Sequence, residues 1–296
     1  MKKSAIARIV IYSVLVVLLV GLLGTAMAFH YGSGWYGAAK IISEEMEIDE
    51  WDDENAEAVH ATQGQKISLD ADSVREIQVE WVAGDVRILP GEVTEIEIQE
   101  TASKKPLVYS LKEDKLKIQF CEEVIGMKFG TNIRMPSKDL TITVPADWVG
   151  EELEIHSVSA DVEVRDLSLE ELEFQGVSGR FDLQDCKIGE LSMETVSGKV
   201  TMNGQVREVE CESVSANCEL ELINVPREIS MEGVSGSLEL TLPAEAGFTV
   251  KMDGLSRNLD TDFAVTAKDG KFVAGDGSCR IEIEGISGNA RIYQAK

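Results

Sequence analysis

The sequence predicts an all-β protein, a parallel β-solenoid (β-helix) of repeats about 19 residues long, preceded by one N-terminal transmembrane helix. Three observations lead there. A pattern h-x-h-x-x-Val-Ser-Gly-x-h-x-h, with h apolar, recurs from Leu153 to near the end of the chain. Apolar and polar residues alternate on both sides of each Val-Ser-Gly, the period of half-buried strands, and no part of the repeat has a helical period. An uncharged run from Ile9 to Phe29 follows Lys2, Lys3 and Arg8.

That run is long enough, at about 1.5 Å per residue, to span a hydrocarbon layer of about 30 Å. The basic cluster before it keeps the N-terminus in the cytoplasm and places the rest of the chain outside, as a single-pass protein of the cell membrane. A cleaved signal peptide is the rival reading, because Ala26-Met27-Ala28 fits an A-x-A cleavage pattern. Both put the bulk of the chain in an extracytoplasmic compartment. Residues 1–29 are therefore the cytoplasmic tip and anchor. Residues 30–66 form a juxtamembrane linker, with nine acids and no base between Glu44 and Glu57. Such a charge run reads as a solvated spacer. Residues 67–296 are the strand-repeat domain.

Composition removes several function classes. With 28 bases against 53 acids the 296-residue chain has a net charge of −25, which repels nucleic-acid backbones. Three histidines (His30, His60, His156), the last two far apart, give no histidine-based catalytic or zinc cluster. Five cysteines (Cys121, Cys186, Cys211, Cys218, Cys279) include no C-x-x-C and make no disulfide framework. Cys211 and Cys218 fall in apolar slots on either side of one repeat's corner, where they are either buried thiols or a disulfide pair.

The copies read LEIHSVSADVEV from Leu153, LEFQGVSGRFDL from Leu172, LSMETVSGKVTM from Leu191, VECESVSANCEL from Val209 and ISMEGVSGSLEL from Ile229. A degraded copy, VKMDGLSRNLDT, starts at Val250, and IEIEGISGNARI at Ile281 follows a longer step. An earlier copy, IQVEWVAGDVRI, starts at Ile77 and a partial one at Ile96, which lies three repeat lengths before Leu153. Stacked in register, Leu153, Leu172, Leu191, Val209 and Ile229 form one inward ladder; Val162, Phe181, Val200, Cys218 and Leu238 form another. Glycine, sometimes alanine, marks a corner where a side chain would crowd. Pro145, Pro226 and Pro243 sit between strand pairs, where the missing N–H does no harm. A large antiparallel sandwich is the runner-up, but hairpin dipeptides are few: Asn203-Gly204, Asp253-Gly254, Asp269-Gly270 and Asp276-Gly277. Residues 101–139 differ, with eight bases against five acids, and read as an insertion hairpin or a partner contact around Met127 and Phe129.

The repeated corner, together with LTITVPAD at Leu140–Asp147, resembles the bacterial DUF4097 family of β-strand-repeat proteins, often labelled adhesins, over Ile77 to Lys296. It is more loosely similar to head domains of autotransporter-type adhesins. The resemblance implies a repetitive all-β domain, commonly membrane-tethered, and carries no catalytic residues.

No reaction is encoded visibly. The corner serines Ser159, Ser178, Ser197, Ser215, Ser235, Ser256 and Ser287 lack a base, and GVSG at Gly176 and Gly233 is not G-x-S-x-G. They read as a hydrogen-bonding ladder at the turn. The expectation is a non-enzyme without cofactor or metal, an adhesin-like binding module whose partner is an unidentified protein, peptide or cell-wall component. Polar slots before the corner bring Glu154, Glu173, Glu194, Glu210, Glu212 and Glu232 to one outer face, either a solubilising surface or a ligand-binding acidic ribbon. A ribbon of that kind fits an envelope-stress component that captures cationic peptides; a polysaccharide-active enzyme is the third reading.

Overall fold

The computed structural model describes residues 58–101, 105–121 and 137–295. The expected anchor, most of the linker, and Met127 and Phe129 lie outside these residues. Among the described residues no helix is long and apolar enough to cross a membrane. A single 3-10 turn, Ala71–Ser73, interrupts the strands.

In chain order the strands are β1 (Val59–His60), β2 (Lys66–Asp70), β3 (Glu76–Gly91), β4 (Glu95–Glu100), β5 (Val108–Lys112), β6 (Lys115–Gln119), β7 (Leu140–Pro145) and β8 (Gly150–Arg165). They continue as β9 (Ser168–Gly176), β10 (Arg180–Leu222), β11 (Glu228–Leu242), β12 (Phe248–Thr261), β13 (Val265–Lys268), β14 (Lys271–Ala274) and β15 (Cys279–Gln294). Each copy forms one rung, bent at its Val-Ser-Gly. Rung lies on rung in parallel, with Leu153 beside Leu172 and Val209 beside Ile229. Both inward ladders are buried throughout, in one continuous core. A single rung has no second apolar wall, so the stack is what buries the alternating face. Within the β9–β10 rung the rings of Phe174 and Phe181 stack 4.4 Å apart.

The expectation of a purely parallel solenoid is corrected in two respects. First, the sheet is mixed. β6 and β7 together make the outermost rung at one end, and antiparallel strands close it: β5 on β6, β1 on β5, β4 on β7 and β2 on β4. At the other end β14 runs antiparallel to β12, and β13 to β14. An exposed parallel edge would offer unpaired N–H and C=O groups to other chains, and the added strands cover it along β6, β7 and the Phe248–Lys251 part of β12. Second, rungs do not follow chain order. The chain lays down β3, steps outward to β6 and β7, then returns to the inner side of β3 with β8. It repeats the step at the far end: β15 inserts between β11 and β12.

The irregular spacings have the same cause. Between Ile96 and Leu153 the described residues include one split rung, whose two halves are β6 and β7. The long step before Ile281 holds the β13–β14 hairpin, turned at Asp269 and Gly270, both with positive φ. Glycine is required where rungs stack closest. At Gly179, with φ +129°, a Cβ would run into the carbonyl oxygen of Ala160 on the rung below.

A buried charge lies just before β7. Lys138 Nζ forms an ion pair with Glu100, donates to the Lys105 carbonyl at 3.0 Å and lies 4.5 Å from the Phe120 ring centroid. The Trp81 indole donates to the Lys138 carbonyl at 2.8 Å.

Candidate functional site

The outer face before the corner carries two columns of polar side chains, two residues apart on every rung. The column nearer the corner reads, in spatial order, Glu80, His156, Gln175, Glu194, then Glu212, Glu232, Glu284, Asp253. The farther column holds Glu154 beside Glu173, then Ser192, and beyond it Glu210 beside Ser230. The six glutamates expected to share one face therefore divide. Glu194, Glu212 and Glu232 lie in an unbroken carboxylate column, which Glu284 and Asp253 extend. Ser192 separates Glu173 from Glu210.

Bases cluster at the two ends. At the first rungs Lys117 Nζ lies 2.8 Å from Glu80, Lys115 Nζ 3.0 Å from Glu154, and His156 Nε2 2.9 Å from Glu154, off the direction of a hydrogen bond. Burial pushes the Glu154 carboxyl up, but His156 and Lys115 outweigh it and hold the group down at about 2. For His156, burial works against the charged ring and Glu154 works for it. With Glu80 and Glu173 adding their charge, the imidazole ends above its ordinary value. At the last rung Lys251 Nζ lies 2.8 Å from Asp253 and 3.7 Å from Glu284.

The middle has no such compensation. Among the described residues no base is ion-paired to Glu194 or Glu212. Both are half-buried, and Glu212 Oε2 is shielded from solvent without a hydrogen-bond partner. Burial, then repulsion from Glu194, Glu232 and Glu210, pushes the Glu212 carboxyl up to about 7. Glu194 is raised by burial and by Glu173 and Glu210, against a smaller lowering from His156.

The slot after the corner is a contrast. Glu163 pairs with Arg87 at 3.4 Å, Glu219 with Lys199 at 2.8 Å and Glu239 with Arg291 at 3.4 Å; Asp182 accepts from Thr201 at 2.7 Å. Three of these acids face an arginine or lysine, while Asp182 and Asp260 accept from the hydroxyls of Thr201 and Tyr293. The distinction between the columns is not visible in the repeat pattern, because it depends on which bases reach which rung. The periodic slots alone place Glu284 and Asp253 beside the candidates.

The corner serines form their ladder chiefly through the backbone: the Ser178 and Ser197 N–H groups donate to carbonyls of the rung below at 3.1 and 3.0 Å. The Ser197 hydroxyl adds a contact of 3.5 Å to the Val177 carbonyl. Among the described residues no three His, Cys, Asp or Glu side chains are grouped so as to hold a metal ion.

Fold and surface together define a capped β-solenoid whose face before the corner is ion-paired at both ends and, in its middle, holds Glu194 and Glu212 without a paired base. The chain belongs to the Toastrack DUF4097 family, which it matches over residues 74–292. No curated protein matches it. Among solved structures it is similar to a “putative cell adhesion protein” of Clostridium sporogenes ATCC 15579, at 15% identity over 81% of this chain and 100% of that one, TM-score 0.33. It is similar also to a “putative adhesin” of Bacteroides fragilis NCTC 9343, at 14% identity over 79% and 98%, TM-score 0.49. A third is a “putative lipid binding protein” of Parabacteroides distasonis ATCC 8503, at 13% identity over 82% and 98%, TM-score 0.34.

Proposed function

We propose that this protein is a non-enzymatic, adhesin-like binding module of the cell envelope, and that the column Glu194–Glu212–Glu232 engages a cationic partner, a basic peptide or protein segment. One observation carries the reading: consecutive rungs hold carboxylates in register with no base paired to Glu194 or Glu212, while the slot after the corner pairs Glu163, Glu219 and Glu239 with arginine or lysine. A solubilising surface alone would work equally well with paired charges, which avoid the repulsion that lifts the Glu212 carboxyl to about 7. A lysine side chain laid along the column would relieve that repulsion, and binding would drive deprotonation of Glu212. The uncharged run Ile9–Phe29 behind Lys2, Lys3 and Arg8 supports delivery to the outer side of the membrane, and the acidic stretch 44–57 supports a spacer between membrane and domain.

The test is titration of the full chain with an oligolysine peptide, followed by calorimetry. Binding is expected to weaken with salt and to tighten as pH rises through about 7. The triple change Glu194→Gln, Glu212→Gln, Glu232→Gln should weaken it about tenfold or more. Binding indifferent to both salt and the triple change overturns the reading. Protease shaving of intact cells tests the location: a domain protected from added protease is not displayed outside.

A further inference from the structure

The rung formed by Val209–Leu220 carries a cysteine on either side of its corner. Cys211 and Cys218 are each 1% exposed, and their sulfurs face one another across the core at 3.3 Å. The matching slots on adjacent rungs hold Met193 with Val200 and Met231 with Leu238, so this rung alone places two small thiols where its neighbours place one long and one branched side chain. The other cysteines lie elsewhere: the Cys186 thiol contacts the Gln184 and Val164 carbonyls at 3.3 and 3.6 Å, Cys279 begins β15 and Cys121 follows β6.

We propose that Cys211 and Cys218 are an oxidation site, joined in the mature protein by a disulfide that staples the two arms of this rung across its corner. The sulfurs need to close only from 3.3 Å to a bond of about 2.0 Å, a movement within the reach of side-chain rotation. The co-reactant is a disulfide, either glutathione disulfide or the active-site disulfide of a thiol oxidoreductase. One cysteine thiolate attacks it and releases a thiolate. The second cysteine thiolate then attacks the mixed disulfide and releases the other. The pair loses two protons and two electrons, and the oxidant becomes two thiols.

Burial decides when this happens. Both thiols are sealed from water in the finished stack and out of an oxidant's reach, and the Cys211 thiol, held against Cys218, sits well above the ordinary thiol range. The bond therefore forms while the rung is still open, during folding, and the finished stack shields it from reductants. Redox state is set once, by the compartment in which the chain folds.

The experiment uses the full chain in detergent, denatured, reduced and refolded with glutathione disulfide and glutathione, so it does not depend on where the protein resides or what it binds. After alkylation in denaturant, peptide mapping is expected to find Cys121, Cys186 and Cys279 alkylated and Cys211 linked to Cys218. The linked form should melt about 5 °C above the reduced form. Protein already folded in the reduced state should resist the same oxidant for far longer than the refolding chain. The C211V/C218V variant, in place of both thiols, should fold to the same strand-rich spectrum and lose the redox dependence of melting. Five alkylated cysteines after oxidative refolding, glutathione adducts at either position, or a different linked pair would each overturn the assignment.

Discussion

Ile229 pairs in register with Ile281, not with Val250, the copy that follows it in the chain. The last copy in sequence is thus an interior rung, and the copy before it forms the end. In a solenoid whose rungs follow chain order, removing the last repeat shortens the stack and leaves the rest intact. Here, truncation after Gly277 removes β15 from between β11 and β12. It takes away the buried Ile281, Ile283 and Ile292, each contributing about 1.5–3 kcal/mol through burial. That loss rivals the whole stability of a typical domain, about 5–15 kcal/mol. The truncated chain should therefore lose cooperative melting and have its C-terminal half digested by protease. A trimmed chain that melts as sharply as the parent would contradict the insertion of β15.

Glu212 sets a pH dependence of opposite sign to that of an ion-paired acid. Its carboxyl rises from an ordinary 4.5 to about 7 in the folded protein because of burial and the neighbouring Glu194, Glu232 and Glu210. The native state therefore holds the proton more tightly than the unfolded chain. This contribution to stability is complete below about pH 4.5 and is lost as pH rises through about 7. Glu212→Gln keeps the shape and removes the titration. At about pH 8 the variant should be more stable by about 1 kcal/mol, after discounting for solvent screening of a half-exposed group. Denaturant unfolding of both proteins across that range checks it. A parent no less stable than Glu212→Gln at high pH would mean that the column is not electrostatically strained.

Much of the architecture was legible in the sequence. Apolar alternation around each Val-Ser-Gly places Leu172, Leu191, Val209 and Ile229 in the core, because a period of two admits one buried face. What the repeat does not contain is rung order. Ile281 matches either neighbour in length and chemistry, so local pattern is silent about whether it stacks beyond Val250 or before it. The caps were half-visible: Asp269-Gly270 is a hairpin signal and turns the β13–β14 cap, whereas Asn203-Gly204 in the same notation lies at a solenoid bend inside β10. At the acidic face the glutamate slots follow from the period. Which of them carry an ion pair depends on Lys115, Lys117 and Lys199 reaching across rungs, which no single copy displays.

Lys138 and Glu100 give a third prediction, at the β6–β7 end of the stack. Their side chains are 2% and 1% exposed and ion-paired, and Glu100 also accepts from the Leu107 N–H at 3.1 Å. Removing one buried charge strands the other without water, which costs more than the pair itself contributes. Lys138→Met should therefore destabilise the protein by about 3–5 kcal/mol, although methionine is close in length and suits the contact with the Phe120 and Trp81 rings. Adding Glu100→Gln should restore most of that loss, because the amide oxygen can still accept from Leu107 and carries no charge to strand. A double-mutant cycle by denaturant unfolding measures both effects. If the double variant is as unstable as Lys138→Met alone, packing around the lysine stem, and not the stranded carboxylate, holds this end of the stack together.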